Sequence, residues 1–153
     1  MAKVTFYVLP SPGEAALAKA VATIVGQLAK QRRRIVVIAS NQAQAEIIDE
    51  ALWQIPADQF IPHNLVGEGP IAGTPVLIGW DQSAAELCKQ RNVVLNLQPV
   101  VPELTRQIQA IVDFVPADDI GKEQARERYR HYRSLGMQLD TQPAPELNEG
   151  HHG

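Results

Sequence analysis

Four short apolar runs set the limits on how this chain can fold: residues 4–9 (VTFYVL), 35–39 (IVVIA), 76–80 (VLIGW) and 93–97 (VVLNL). The second is apolar throughout, with no alternation. Runs of this kind suit strands buried on both faces, as in a parallel sheet covered by helices on each side. The segments between them supply the helices. Residues 14–31 place apolar side chains at 16, 17, 20, 21, 24, 25 and 28, which is helical spacing. Arg32, Arg33 and Arg34 close that helix, where cations suit the negative end of its dipole. A second helix starts from a cap at Ser40 or Asn41 and reaches about Trp53, with Pro56 ending it. Residues 83–90 fit a short helix. Pro102 suits the first turn of another that continues through Ile108 to Val112. Residues 60–70 read as a loop from their Gly and Pro content. Strands alternating with helices in this way predict an α/β, three-layer, Rossmann-like fold with a largely parallel central sheet.

The chain has 153 residues, which suits one domain, expected over residues 1–139. Residues 140–153 are polar and Pro-rich, and disorder is expected there; His151 and His152 read as incidental. No run approaches the roughly 20 apolar residues of a membrane span. The first residues lack the layout of a secretion signal, and Cys88 has no partner for an internal disulfide. These features predict a cytoplasmic protein. A net charge of −3 argues against broad electrostatic wrapping of nucleic acid.

Against that acidic background, residues 122–133 stand out. They carry Lys122, Arg126, Arg128, Arg130 and Arg133 against Glu123 and Glu127, after a turn at Pro116. On a helix, Lys122, Arg126, Tyr129 and Arg133 fall on one stripe. Guanidinium groups can grip a carboxylate through paired hydrogen bonds, and the ring offers apolar area. The stripe therefore suits a ligand with carboxylates and an apolar end. The same run also fits an ordinary solvated face, the commoner fate of charge runs. A single aromatic on the stripe argues against direct stacking of single-stranded DNA.

Motifs for catalysis are missing. The first strand-to-helix loop, Pro10-Ser11-Pro12-Gly13-Glu14, has neither G-x-G-x-x-G nor G-x-x-x-x-G-K-[ST]. The later run from Gly67 to Gly73 is spaced differently and precedes a strand, so no helix dipole faces a phosphate there. Cys88 reads as a structural thiol, and His63 as a residue that hydrogen-bonds the backbone. No cofactor and no metal are expected, although a nucleotide-dependent enzyme on the same fold is the alternative. Trp53 and Phe60, near a helix end, either plug the core or anchor a protein interface; position alone favours the core. Arg128, Arg130 and Arg133 read as solvating charge.

Several ordered motifs together resemble one family. They are Thr5-Phe6-Tyr7, Asp49-Glu50-Ala51-Leu52-Trp53, Phe60-Ile61-Pro62-His63-Asn64-Leu65, Gly67-Glu68-Gly69-Pro70, and Pro75-Val76 with Trp80. Further on come Asp113-Phe114-Val115-Pro116, Ala125-Arg126-Glu127-Arg128-Tyr129 and Tyr132-Arg133. The set is similar to the chi subunit of bacterial DNA polymerase III holoenzyme over about residues 4–139; residues 81–98 carry no match. The resemblance implies a non-catalytic accessory subunit in DNA replication, on a Rossmann-like fold without a nucleotide site. It implies pairing with the psi subunit of the clamp loader through Trp53 and Phe60. It also implies binding of the acidic, Phe-terminated C-terminal tail of single-stranded DNA-binding protein through Val115, Lys122, Arg126 and Tyr129. A helicase competing for the psi surface is a further implied partner, and contact with nucleic acid would be indirect.

Overall fold

A computed structural model describes residues 2–54, 61–68, 74–105 and 107–145. Its elements in chain order are β1 (Lys3–Val8), α1 (Glu14–Lys30), β2 (Ile35–Ile38), α2 (Gln42–Trp53), β3 (His63–Leu65), β4 (Val76–Gly79), α3 (Ala84–Leu87), β5 (Val93–Asn96), β6 (Ala110–Val115), α4 (Asp119–Ser134) and β7 (Gln138–Pro143). The strands form one seven-stranded sheet in the order β3-β4-β2-β5-β6-β1-β7. Every pairing among them is parallel.

Three of the four apolar runs are buried on both faces, whereas β1 alternates between buried and more open residues. Every residue of β2, β4 and β5 is buried. Alternate strand residues feed two cores. One face carries Ile35, Val37, Val76, Ile78, Val93, Leu95, Val112 and Phe114, packed against the buried stripe of α1 and against Ala45, Ile48 and Leu52 of α2. The other carries Val4, Phe6, Val36, Leu77, Val94 and Ile111, packed against Leu87, Cys88, Ala125 and Tyr132. These two helical layers around one sheet are the three-layer α/β architecture expected. The α2 cap is Asn41, whose side chain accepts from Gln44 N at 2.8 Å, while Gln44 Oε1 accepts from Ser40 N at 2.7 Å. Cys88 is buried, as a structural thiol should be.

Three local expectations are corrected. Residues 102–112 do not form a helix. The described residues before Ala110 are irregular, and Ala110–Val115 is strand β6, paired with β1 on one side and β5 on the other. The apolar spacing up to Ile108 mimicked a helix, but Ile111, Val112 and Phe114 fill opposite sheet faces, and pairing decides the conformation. The expected loop at 60–70 contains β3, which pairs with β4. The expected disordered tail from Asp140 begins too early: Gln138–Pro143 pairs with all six residues of β1. It is polar because it is an edge strand whose residues mostly face water. Residues 146–153, with the two histidines, lie outside the described residues.

Candidate partner-binding site

The site is built where β6 hands over to α4. Val115 is the last residue of β6 and lies beside Val8 of β1. Pro116 then turns the chain, and Asp118 caps α4 by accepting from Gly121 N at 2.8 Å. Gly121 is required by packing: a Cβ there would meet the Pro116 ring at 2.5 Å. The turn can therefore close onto the first turn of α4, which brings Val115 next to Lys122.

A buried polar network then fixes α4 against the sheet. Asp113 of β6 is fully buried, and Arg128 is 6% exposed. Arg128 Nε donates to both carboxylate oxygens at 3.1 and 3.2 Å, Nη2 donates to Phe114 O at 2.9 Å, and Nη1 donates to Pro99 O at 3.2 Å. Tyr132 Oη and Asn96 Nδ2 donate to Asp113 Oδ2 at 2.8 and 3.2 Å. Burial pushes the Asp113 carboxyl above its usual range, against the pull of Arg128 and these hydrogen bonds. Arg128 is thus not solvating charge, contrary to expectation. Its place on the buried side of α4, off the exposed stripe, makes it the clamp of the helix.

With α4 held so, Val115, Lys122, Arg126 and Tyr129 converge on one cavity of about 180 Å³, completed by Phe6, Ala125 and Thr141. The Tyr129 ring packs on Phe6, centroids 5.5 Å apart. Floor and walls are apolar, from Phe6, Val115, Ala125 and the Tyr129 ring. Lys122 and Arg126, both exposed, stand at the rim. An apolar cavity of about 150 Å³ is enough to hold a benzene ring, so this one has room for a single aromatic side chain. Arg126 now pairs with Glu123 at 3.0 Å, with both side chains mostly in water. Such a pair is worth only a few tenths of a kcal/mol and yields readily to a better carboxylate.

Arg133, placed on the stripe by spacing, is exposed but does not line the cavity. Phe6 and Thr141 were not expected. Phe6 was legible from alternation with Val4 in β1. Thr141 was hidden because its segment read as tail.

Trp53, the last residue of α2, is 57% exposed, so it does not plug the core as its position suggested. Its ring packs against that of His63 in an edge arrangement, centroids 5.0 Å apart. His63 is held in turn: Nδ1 donates to Ile61 O at 2.7 Å and Nε2 faces Asp49 Oδ1 at 3.2 Å. His63 therefore bonds the backbone, as expected, and also supports the exposed indole. Phe60 lies outside the described residues. Trp53 sits near β3 and the cavity near β7, at opposite edges of the sheet. Seven strands at about 4.8 Å spacing separate the two by roughly 29 Å.

A second cleft, about 470 Å³, opens at the carboxyl ends of the strands between the starts of α1 and α4. Doubly wound folds bind nucleotides at such a crevice. Here its lining includes Glu14, Asp118 and the Asp113–Arg128 pair. Two exposed carboxylates and no Gly-rich loop make it a poor host for phosphates. Among the described residues, no group of three or more His, Cys, Asp or Glu could hold a metal ion. No described helix is long and apolar enough to cross a membrane.

Comparison with known proteins agrees with the resemblance in the motifs. The profile of the family described as DNA polymerase III chi subunit, HolC, matches residues 1–140. The DNA polymerase III subunit chi of Escherichia coli K12 is 37% identical over 145 residues, covering 92% of this chain and 97% of that protein. The subunit chi of Haemophilus influenzae is 34% identical over 137 residues, covering 90% and 94%. That of Pseudomonas aeruginosa is 25% identical over 147 residues, covering 96% and 100%.

Proposed function

This chain belongs to the DNA polymerase III chi subunit family, and from that premise we propose that it is a non-catalytic adaptor of the replicative polymerase. Membership supports an accessory role in DNA replication. In the proposed role, the cavity beside α4 takes the acidic, Phe-terminated tail of single-stranded DNA-binding protein, and the surface around Trp53 takes the psi subunit of the clamp loader. Phe60 is assigned to that second surface with Trp53. A helicase competing for it would meet the same indole. The protein works in the cytoplasm, where it couples the clamp loader to coated DNA through these partners.

The observation that carries the reading is the convergence of Val115, Lys122, Arg126 and Tyr129 on one apolar-floored, cation-rimmed cavity. The terminal phenyl ring enters the floor. Its carboxylate turns to Arg126, which leaves Glu123, and preceding acidic residues lie along Lys122. Burying one ring and engaging two exposed cations predicts weak, salt-sensitive binding in the micromolar range, about −8 kcal/mol. Calorimetric titration of the full chain with a tail peptide checks this. Replacing the peptide's terminal Phe with Ala should remove measurable binding. Equal affinity for the two peptides would refute the cavity as the site.

Separation of the two surfaces gives a second expectation. Trp53→Ala should weaken psi pairing by about tenfold or more, since exposed indoles are typical interface anchors. It should leave tail binding unchanged. Joint loss of both activities with a lowered melting temperature would instead place Trp53 among the residues that hold the fold.

A further inference from the structure

At the amino-terminal edge of the sheet, away from the cavity, two turns lie side by side. One, residues 31–34, leads into β2; the other, residues 88–92, leads into β5, and β2 and β5 are paired neighbours. The turns are fastened together. Asn92 N and Val93 N both donate to Arg34 O, at 3.0 and 3.1 Å. Arg34 N donates to Asn92 Oδ1 at 3.1 Å, and Arg34 Nε donates to Gln90 O at 3.2 Å. The pair of turns gathers Lys30, Arg32, Arg33, Arg34 and Lys89 on a chain whose net charge is −3. Lys30, Arg32, Arg33 and Lys89 make no ion pair among the described residues. The nearby Arg91 is buried, and its pKa is pulled down to about 10, first by burial and then by Arg34. Among the described residues, Lys30, Arg32, Arg33 and Lys89 are therefore four cations crowded together with no ion-pair partner.

The backbone makes this arrangement more informative. Arg32 and Gln90 are the two non-glycine residues with positive φ among the described residues, both at 60°. Arg32 follows the α1 cap in a Schellman turn, with Arg33 N donating to Leu28 O at 3.2 Å and Arg32 N to Ala29 O at 2.9 Å. Glycine is the residue that fits that position without strain. The chain carries an exposed arginine there instead, and the side chain gains no ion pair among the described residues. Its role as a closing charge for the α1 dipole would not require this strained position, since Lys30 already supplies one.

From these features we infer that the paired turns form a second docking surface, which holds the sugar-phosphate backbone of single-stranded DNA. Guanidinium forks match phosphate oxygens. None of the exposed large apolar side chains among the described residues belongs to either turn, and a protein interface would want such an anchor. The turns sit on adjacent strands about 5 Å apart, a footprint for one backbone, whereas the major groove of a duplex separates its strands by roughly 12 Å. The surface lies at the opposite end of the strands from Val115, so tail and DNA can be held together. This goes beyond the adaptor reading and does not depend on it.

The test is fluorescence anisotropy of a labelled oligothymidylate with the full chain at low salt. Affinity should fall with salt at a log–log slope of roughly 0.7 per phosphate neutralised, so three contacts give about a hundredfold loss for a tenfold rise in salt. The triple variant Arg32→Glu, Arg33→Glu, Lys89→Glu should lose at least about tenfold, with tail-peptide affinity unchanged. Arg32→Gly should weaken DNA binding while raising the melting temperature, which a structural role alone would not produce. The inference is overturned by any of four results: no binding by the unaltered chain, full binding by the triple variant, tighter binding of duplex than of single strand, or displacement of DNA by an acidic peptide that binds the same turns more tightly.

Discussion

Arg128→Met is expected to lower the stability of the fold by about 3–5 kcal/mol, the cost of stranding a buried charge by removing its partner. For a chain of this size that is on the order of a 10 °C drop in melting temperature. Arg128 satisfies both oxygens of Asp113 and two backbone carbonyls at once, so its removal leaves Asp113 with Tyr132, Asn96 and its neighbour's N–H but no positive charge. The double variant Asp113→Asn, Arg128→Met should recover a substantial part of the loss, because the amide keeps an acceptor for Tyr132 without a charge. The pH dependence follows from the same point. In the single variant, the folded-state pKa of Asp113 rises further above the unfolded value near 3.9. Below that value both states hold the proton and the deficit is small. As pH rises, the unfolded chain ionises first and is favoured, so the deficit grows until the folded-state pKa is passed. Thermal melts at acidic and neutral pH measure this, and a deficit independent of pH would mean that lost packing, not lost charge, is responsible.

Arg126→Ala is the second large expectation. It should weaken binding of the tail peptide by about 1.5–3 kcal/mol, the range for a hydrogen bond to a charged group, or roughly ten- to a hundredfold. It should do so with little change in stability, since the side chain is 66% exposed and its one ion pair among the described residues is the surface one with Glu123. In the proposed role the two arginines thus separate two jobs on one helix: Arg128 holds α4 in place, and Arg126 would meet the ligand.

The extent to which this was legible in the sequence follows from where the signals are local. The parallel three-layer sheet could be read because β2, β4 and β5 are buried on both faces and so carry unbroken apolar runs. Strand β7 could not, because an edge strand that faces water looks like a polar tail until β1 is beside it. Strand β6 was obscured by apolar residues before it that happened to fall at helical spacing, a conflict that only sheet pairing resolves. At the site, Lys122, Arg126 and Tyr129 share a helix stripe and were found by spacing. Val115 came from the motif resemblance alone, because nothing in its neighbourhood says which helix face it will meet. Arg128 was misjudged because charge is usually solvated, and its partner Asp113 lies on another element fifteen residues away in sequence. The core reading of Trp53 from its position alone failed for the converse reason: an indole is usually covered, and the exposed one here packs on His63.

The central claim is that the α4 cavity, and not the general charge of the helix, recognises the acidic tail. Arg130 supplies a matched control. Like Arg126 it is mostly exposed, at 65%, and pairs with a glutamate three residues earlier, yet it does not line the cavity. The most direct measurement is therefore calorimetric titration of the tail peptide into Arg126→Ala and Arg130→Ala side by side. A roughly ten- to hundredfold loss for the first and no more than about twofold for the second is the predicted result. Equal losses in the two, or none in either, would contradict it.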